Sequence, residues 1–379
     1  MNRLLIAIFM FTIFLLGIME LIISGLTEMI STELHISYGL TGQLITVYAV
    51  SFAIFGPVLI QLTDKFSQKK TIFYAFLIFL FGNVIFMLSH SFTMLAIGRV
   101  VTAMGASVLI VKILDLTSLL SEAHKRGKTI AFVYMGFSAA NVFGIPISTL
   151  IGNIFGWREV FFIIIVLTII TAILVLTKTP NTTYTTTTED KNIITHKKNV
   201  VLYITITLLI LTANFIIIGY ISPLLTSNGF TLNQVSLALF IAGLGGMSGT
   251  YLGGMLVDKF PIKYAMMTMI VLFLMMTVAI PFTFSIPVLF YIVFYLFNVF
   301  EWSTSPMIQS GLVSSVKGSA AKVFSWNMSS LNLGIGLGAV IGGIFIDRIA
   351  PLHLPYISAI FLVVGIFIAS QLTLVERSE

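Results

Sequence analysis

Apolar residues in this chain run for about twenty positions at a time, broken by short polar clusters. Such runs predict spans at 4–27, 38–62, 71–89, 93–119, 128–154, 157–177, 200–224, 234–257, 264–284, 287–314, 321–346 and 353–374. A helix needs about 20 apolar residues to cross a bilayer, so the pattern predicts twelve transmembrane helices. The first run begins at Leu4 behind Arg3 and lacks a small-residue cleavage site, so it reads as a retained helix.

The pattern also repeats. Leu62-Thr63-Asp64-Lys65-Phe66, followed by Lys69, recurs as Leu256-Val257-Asp258-Lys259-Phe260, followed by Lys263, at an offset of 194 residues. The same offset aligns Ala140, Gly144 and Ser148 with Gly334, Gly338 and Gly342, and Glu20 with Asn214. This predicts an all-α membrane protein of two six-helix pseudo-symmetric halves, 1–177 and 200–379, joined by a cytoplasmic linker at 178–199. Paired halves related by an axis along the membrane normal describe many secondary transporters.

Composition narrows the class further. Hydrophobic residues make up 58% of the 379 and charged ones 9%, against about 25% charged in soluble proteins. Without cysteine there is no disulfide, thiolate metal site or Cys nucleophile, and the five scattered histidines predict no metal centre. No cofactor is expected, and an enzyme would need a nucleophile, base or metal cluster that the sequence lacks.

The net charge of +6 is an orientation signal and not a nucleic-acid footprint. If the spans alternate, sixteen Lys and Arg residues fall on one side, and only Arg158 and Arg348 on the other. That asymmetry predicts both termini in the cytoplasm. The linker holds Thr182, Thr183 and Thr185 to Thr188, and reads as a polar tether.

A charge at the bilayer centre costs about 2.5–3.5 kcal/mol on insertion scales, so each one needs a reason. In the first span Gly17, Glu20, Ser24 and Thr27 form one small and polar stripe. In the seventh, Thr207, Asn214 and Ser222 share a face, so Glu20 and Asn214 would flank a cavity from the two halves. Neither Glu20 nor Glu301 has a basic residue within one helical turn. Each is therefore a candidate to bind and release a proton. Arg99, Lys112 and Asp115 in the fourth span, Tyr48, Asn141 and Trp302 complete the candidate cavity residues. Structural roles compete for several of these, a local ion pair or snorkelling for Lys112 and Asp115 above all. Gly136, Ala140, Gly144, Ser148 and Gly152 in the fifth span, and Gly334, Gly338 and Gly342 in the eleventh, predict close helix contacts. Pro146 predicts a bend.

These residues resemble the major facilitator superfamily over the whole chain. Gly56-Pro57, Leu62, Asp64, Lys65, Lys69 and Lys70 are similar to its loop motif after the second helix, with Ile60, Ser67 and Gln68 in place of the usual Gly, Gly and Arg. Asp258 lies in the C-terminal copy, where Pro261 replaces a glycine. Arg99 to Gly105 resembles the helix 4 arginine motif. Gly136 to Pro146, with Gly156-Trp157-Arg158, resembles the helix 5 motif of the twelve-helix drug:proton antiporters. Gly17 to Glu20, Thr41 to Ala49, and Asn332 to Gly336 with Gly342-Gly343 look like the branch of sugar-efflux and chloramphenicol-type exporters. The resemblance implies an alternating-access exporter of small organic molecules driven by protons, with Asp64, Lys65, Lys69, Asp258, Gly144 and Pro146 serving the conformational switch. A carrier for uptake or facilitated diffusion is the alternative. The expected partners are a small-molecule substrate, protons and the lipid bilayer of the cell membrane, with no obligate protein partner.

Overall fold

In the computed structural model, residues 2–63, 66–121, 126–180, 193–317 and 321–373 are described. Asp64, Lys65 and the Thr-rich part of the linker lie outside them. The order is α1 (Arg3–Leu34), α2 (Tyr38–Thr63), α3 (Gln68–Met87), α4 (Phe92–Leu120), α5 (Arg126–Ala139), a π-helical turn (Ala140–Gly144), α6 (Ile145–Phe155) and α7 (Trp157–Lys178). Then come β1 (Ile193–Ile194), α8 (Lys197–Ile218), α9 (Ile221–Thr226), α10 (Leu232–Lys259), α11 (Ile262–Ala279), α12 (Pro287–Ser314), β2 (Val316–Lys317), α13 (Ala321–Ile346) and α14 (Leu354–Ser370). Twelve helical spans among the described residues are long and apolar enough to cross a membrane.

The structure adds detail to three of the predicted spans. α1 continues seven residues beyond the expected end at Thr27, because the polar residues after it stay helical until His35 turns left-handed at φ 51° and its N–H caps Ser31 O. The fifth span is interrupted by the π turn just before Pro146. Proline has no N–H to give Val142 O, and a wider turn absorbs the mismatch. The seventh span breaks after Ile218, since Pro223 leaves Gly219 O without its helical donor.

Two compact units emerge, Met1–Thr186 with Thr231–Phe240, and Thr187–Phe230 with Ile241–Glu379. In the first, small residues bring α1 against α5 and α6. A Cβ on Gly136 would strike Met10 O, one on Gly144 would strike Ile18, and one on Gly17 would lie 2.9 Å from Ala140 Cβ. In the second, α8 meets α13 in the same way. Ser330 Oγ donates to Ile204 O at 2.8 Å, a Cβ on Gly338 would lie 2.6 Å from Thr212 O, and one on Gly334 would lie 2.9 Å from Leu211 Cβ. Each pair sits 194 residues from its counterpart. The bulk is exchanged, though: Ala140 packs on Gly17 in one unit and Gly334 on Leu211 in the other, so summed volume is conserved roughly while identity is not.

Both ends of the first unit are tied by polar contacts. Trp157 Nε1 donates to Glu33 Oε2 at 2.7 Å, Arg158 pairs with Glu33, and Arg158 Nη2 donates to Ser89 O at 2.8 Å. The guanidinium also stacks 4.2 Å over the Trp157 ring. Gly156, at φ 110°, makes the turn into α7 where a side chain would meet Glu159. At the opposite end Gln68 Nε2 donates to Asp115 Oδ2 at 2.8 Å and Lys69 Nζ to Thr179 O at 3.4 Å. Where the family pattern carries arginine, the Gln68 amide therefore still makes a contact to Asp115. In the second unit β1 pairs antiparallel with β2, and Asn199 clasps Thr373 through three hydrogen bonds.

Candidate functional site

Arg99 organises the centre of the first unit. Its side chain is fully buried on α4, a position that hydrocarbon-facing helices avoid unless the charge is compensated. Compensation comes from backbone. Nε donates to Leu44 O at 3.1 Å, Nη1 to Met19 O at 2.5 Å and Nη2 to Glu20 O at 3.2 Å. The guanidinium lies 4.2 Å from the centre of the buried Tyr48 ring. One cation thus holds α1, α2 and α4 together, with a fork geometry that lysine could not match.

Glu20 sits in the field of that cation. Its carboxylate interacts electrostatically with Arg99, Tyr48 and Tyr134. Arg99 reaches the Glu20 carbonyl and not its carboxylate. The carboxyl therefore keeps its acceptor capacity within an arrangement of one guanidinium and two phenols. Such a group can exchange a proton without unmaking the helix contacts that Arg99 secures. Tyr134 was not legible in the sequence, where it is one aromatic among many; only the crossing of α5 over α1 brings it to Glu20.

In the second unit the acid is set differently. Glu301 on α12 is 5% exposed, and its Oε2 has no hydrogen-bond partner among the described residues. Asn214 on α8 is equally buried, with Nδ2 likewise unpartnered. The Tyr203 ring packs on Gly311 where these antiparallel helices meet. Counting from that contact at about 1.5 Å per residue, Asn214 lies roughly 16 Å along α8 and Glu301 roughly 15 Å along α12, so the two share one depth. Trp302 lies beside them, its indole seated flat against Gly246 on α10. Pro306 leaves the Trp302 carbonyl without its helical donor, adding an acceptor near the acid.

The remaining predicted residues are dispersed. Lys112 is buried one turn from Asp115, near the end of α4 that Gln68 ties to α3. Asn141 lies in the π turn and donates to Phe137 O at 3.3 Å. Gly144 and Pro146 flank the bend, Lys69 anchors α3, and Asp258 lies in the last turn of α10. Among the described residues no three His, Asp or Glu side chains gather as metal ligands.

Comparison with known proteins decides the family. A sequence model of the Major Facilitator Superfamily matches residues 8–339. This chain belongs to that superfamily. Relatives include the uncharacterised MFS-type transporter YbcL of Bacillus subtilis (strain 168), 28% identical over 367 residues and covering 95% of this chain and 93% of that protein. The inner membrane transport protein YdhP of Escherichia coli (strain K12) is 25% identical over 335 residues, covering 88% and 86%. Among solved structures, a D-xylose-proton symporter superposes with a TM-score of 0.78 at 17% identity over 97% of this chain and 96% of that one. A bacterial homologue of the human lysosomal transporter Spinster, in an inward-facing, unoccupied conformation, gives 0.77 at 15% identity over 97% of both. At those identities the likeness is one of fold. The superfamily member is thus a multi-pass membrane transporter of small molecules and not an enzyme.

Proposed function

We propose that this transporter exports small organic molecules in exchange for protons, with both termini cytoplasmic and two six-helix halves joined by the 178–199 linker. The observation that carries the coupling is Glu20. It is a membrane-embedded carboxyl whose side-chain oxygens accept no hydrogen bond among the described residues, set beside Arg99, Tyr48 and Tyr134. Glu301 is the second coupling candidate, and Asn214 and Trp302 contribute to the polar surface at its depth. Alternating access exposes the carboxyl to one side, where it takes a proton, and then to the other, where it releases it. The helix 5 pattern, with its π turn and Pro146, supports a hinge in this role. Asp64, Lys65, Lys69 and Asp258 serve the switch between states by resemblance to the family's loop motif.

Proteoliposomes with an imposed pH gradient test the proposal. Glu20→Gln fixes a neutral side chain of nearly the same shape, so it should keep downhill exchange and lose accumulation against a substrate gradient. A gradient of 2 pH units stores about 2.7 kcal/mol per proton, enough for about 100-fold accumulation at one proton per cycle, and the variant should fall to about one. If Glu20→Gln and Glu301→Gln, singly and together, still accumulate substrate with wild-type pH dependence, neither carboxyl carries the coupling proton. Substrate uptake by the same proteoliposomes would establish the alternative, a carrier for uptake or facilitated diffusion.

A further inference from the structure

A cavity of about 300 Å³ lies between α6 and the first turns of α10, within the first unit. Its walls are apolar: Val142, Pro146 and Leu150 face Leu237 and Phe240, and the Phe143 and Phe240 rings close the inner end at 6.0 Å. Phe143, Ile147 and Leu237 are each more than two-fifths exposed, on helices long and apolar enough to cross a membrane. From Val142 to Leu150 the groove runs about 12 Å, close to the roughly 15 Å thickness of one leaflet's hydrocarbon. Exposed polar side chains appear at its outer end, where Asn153 Nδ2 donates to Asn233 Oδ1 at 3.0 Å, near the corner formed by Gly156, Trp157 and Arg158. Both asparagines are exposed, and that single bond leaves each amide with donors to spare.

An apolar trough one leaflet long, open to the membrane and capped by free amide donors, matches one kind of molecule. We propose that this groove holds one acyl chain of a bilayer phospholipid, its headgroup oxygens meeting Asn153 and Asn233. A soluble polar substrate finds no partner on these walls. A void beside lipid would forfeit the dispersion contacts that a chain supplies. The site also has a mechanical consequence. At its base Ser236 Oγ donates to Pro146 O at 2.9 Å, directly beside the π turn. A chain lying over that bond shields it from water and presses α10 against the bend of α6.

The test uses the full-length protein in bilayers of phosphatidylethanolamine and phosphatidylglycerol carrying a phospholipid with a diazirine on its tail. After photolysis, labelled peptides should concentrate on 142–150 and 233–240, above the level on the lipid-facing residues Ile163, Ile170 and Ile173 of α7. Ile147→Trp places a ring in the mouth at a half-exposed position and should lower that labelling about fivefold by removing apolar contact area, with little change in thermal stability. Asn153→Leu with Asn233→Leu should weaken labelling while sparing the fold. Labelling of the groove no stronger than that of α7, or unchanged in Ile147→Trp, overturns the proposal. Because labelling needs no transport, this result is independent of whether Glu20 couples protons.

Discussion

Arg99→Lys separates a structural from a substrate-facing role for the buried cation. The substitution keeps the charge but replaces a planar fork by a single ammonium, which cannot sit at once where Nε meets Leu44 O and where Nη1 and Nη2 meet Met19 O and Glu20 O. Two of the three bonds are lost. A hydrogen bond to a charged group contributes about 1.5–3 kcal/mol, but these carbonyls keep their intrahelical partners and are not orphaned. The lower figure therefore applies, giving about 3 kcal/mol for two bonds. The stacking on Tyr48 survives in part, and its loss adds at most about 1–2 kcal/mol. For a unit of this size, 1 kcal/mol corresponds to about 2–4 °C in Tm, so Arg99→Lys should melt about 6–12 °C below wild type. Arg99→Met, which buries no charge but tethers no helix, should melt lower than wild type as well. Purified variants in detergent, followed by scanning fluorimetry, give the measurement. A Tm for Arg99→Lys indistinguishable from wild type, together with a raised KM for substrate, would refute the tether and put Arg99 in the binding surface.

The same reasoning gives smaller tests. Gly136→Leu should abolish folded protein, because its side chain would collide with the Met10 carbonyl, whereas Gly254→Ala and Gly365→Ala meet nothing and should be silent in size-exclusion profiles. Trp157→Phe loses the bond to Glu33 while keeping its aromatic contacts with Phe86 and Phe161, and should cost about 1 kcal/mol in thermal unfolding. Asp64→Asn should slow turnover more than it weakens substrate binding, and Asp258→Asn should do so less; equal turnover at equal abundance in Asp64→Asn would dismiss the switch role. In this Cys-free chain, Thr186→Cys should resist impermeant thiol reagents in intact cells, and labelling from outside would invert the proposed topology.

How much was legible beforehand follows from the range of each interaction. The twelve spans depend on solvent alone: apolar runs must leave water, and every backbone group in lipid must bond within its own helix. The small-residue stripes were equally plain, since Gly136, Ala140 and Gly144 on one helix and Gly334, Gly338 and Gly342 on another, at four-residue spacing, leave room for a neighbouring backbone whichever helix supplies it. The 194-residue repeat went further, because a duplicated crossing needs duplicated gaps at matching positions. Identity of the partner was another matter. That Gly17 takes Ala140 while Gly334 takes Leu211 depends on two helices meeting, and a one-dimensional pattern shows only that one side is small.

The candidate site divides along the same line. Glu20 and Glu301 stood out because a carboxyl in hydrocarbon is costly wherever the helices go. Arg99 did too, but the sequence left open whether it faces substrate; only the approach of α1 and α2 supplies the carbonyls of Met19, Glu20 and Leu44 that engage it. Tyr134, 114 residues from Glu20 in the chain, carries no mark of its role. Glu33 lay outside the predicted first span because its neighbours are polar, yet the tertiary partners Trp157 and Arg158 lie at the end of the helix that continues through it. Sequence alone determined which residues must leave water and which polar groups must be explained once they do. Tertiary structure decided which of those groups satisfy one another, because a buried charge is compensated by atoms that the order of the chain does not place beside it.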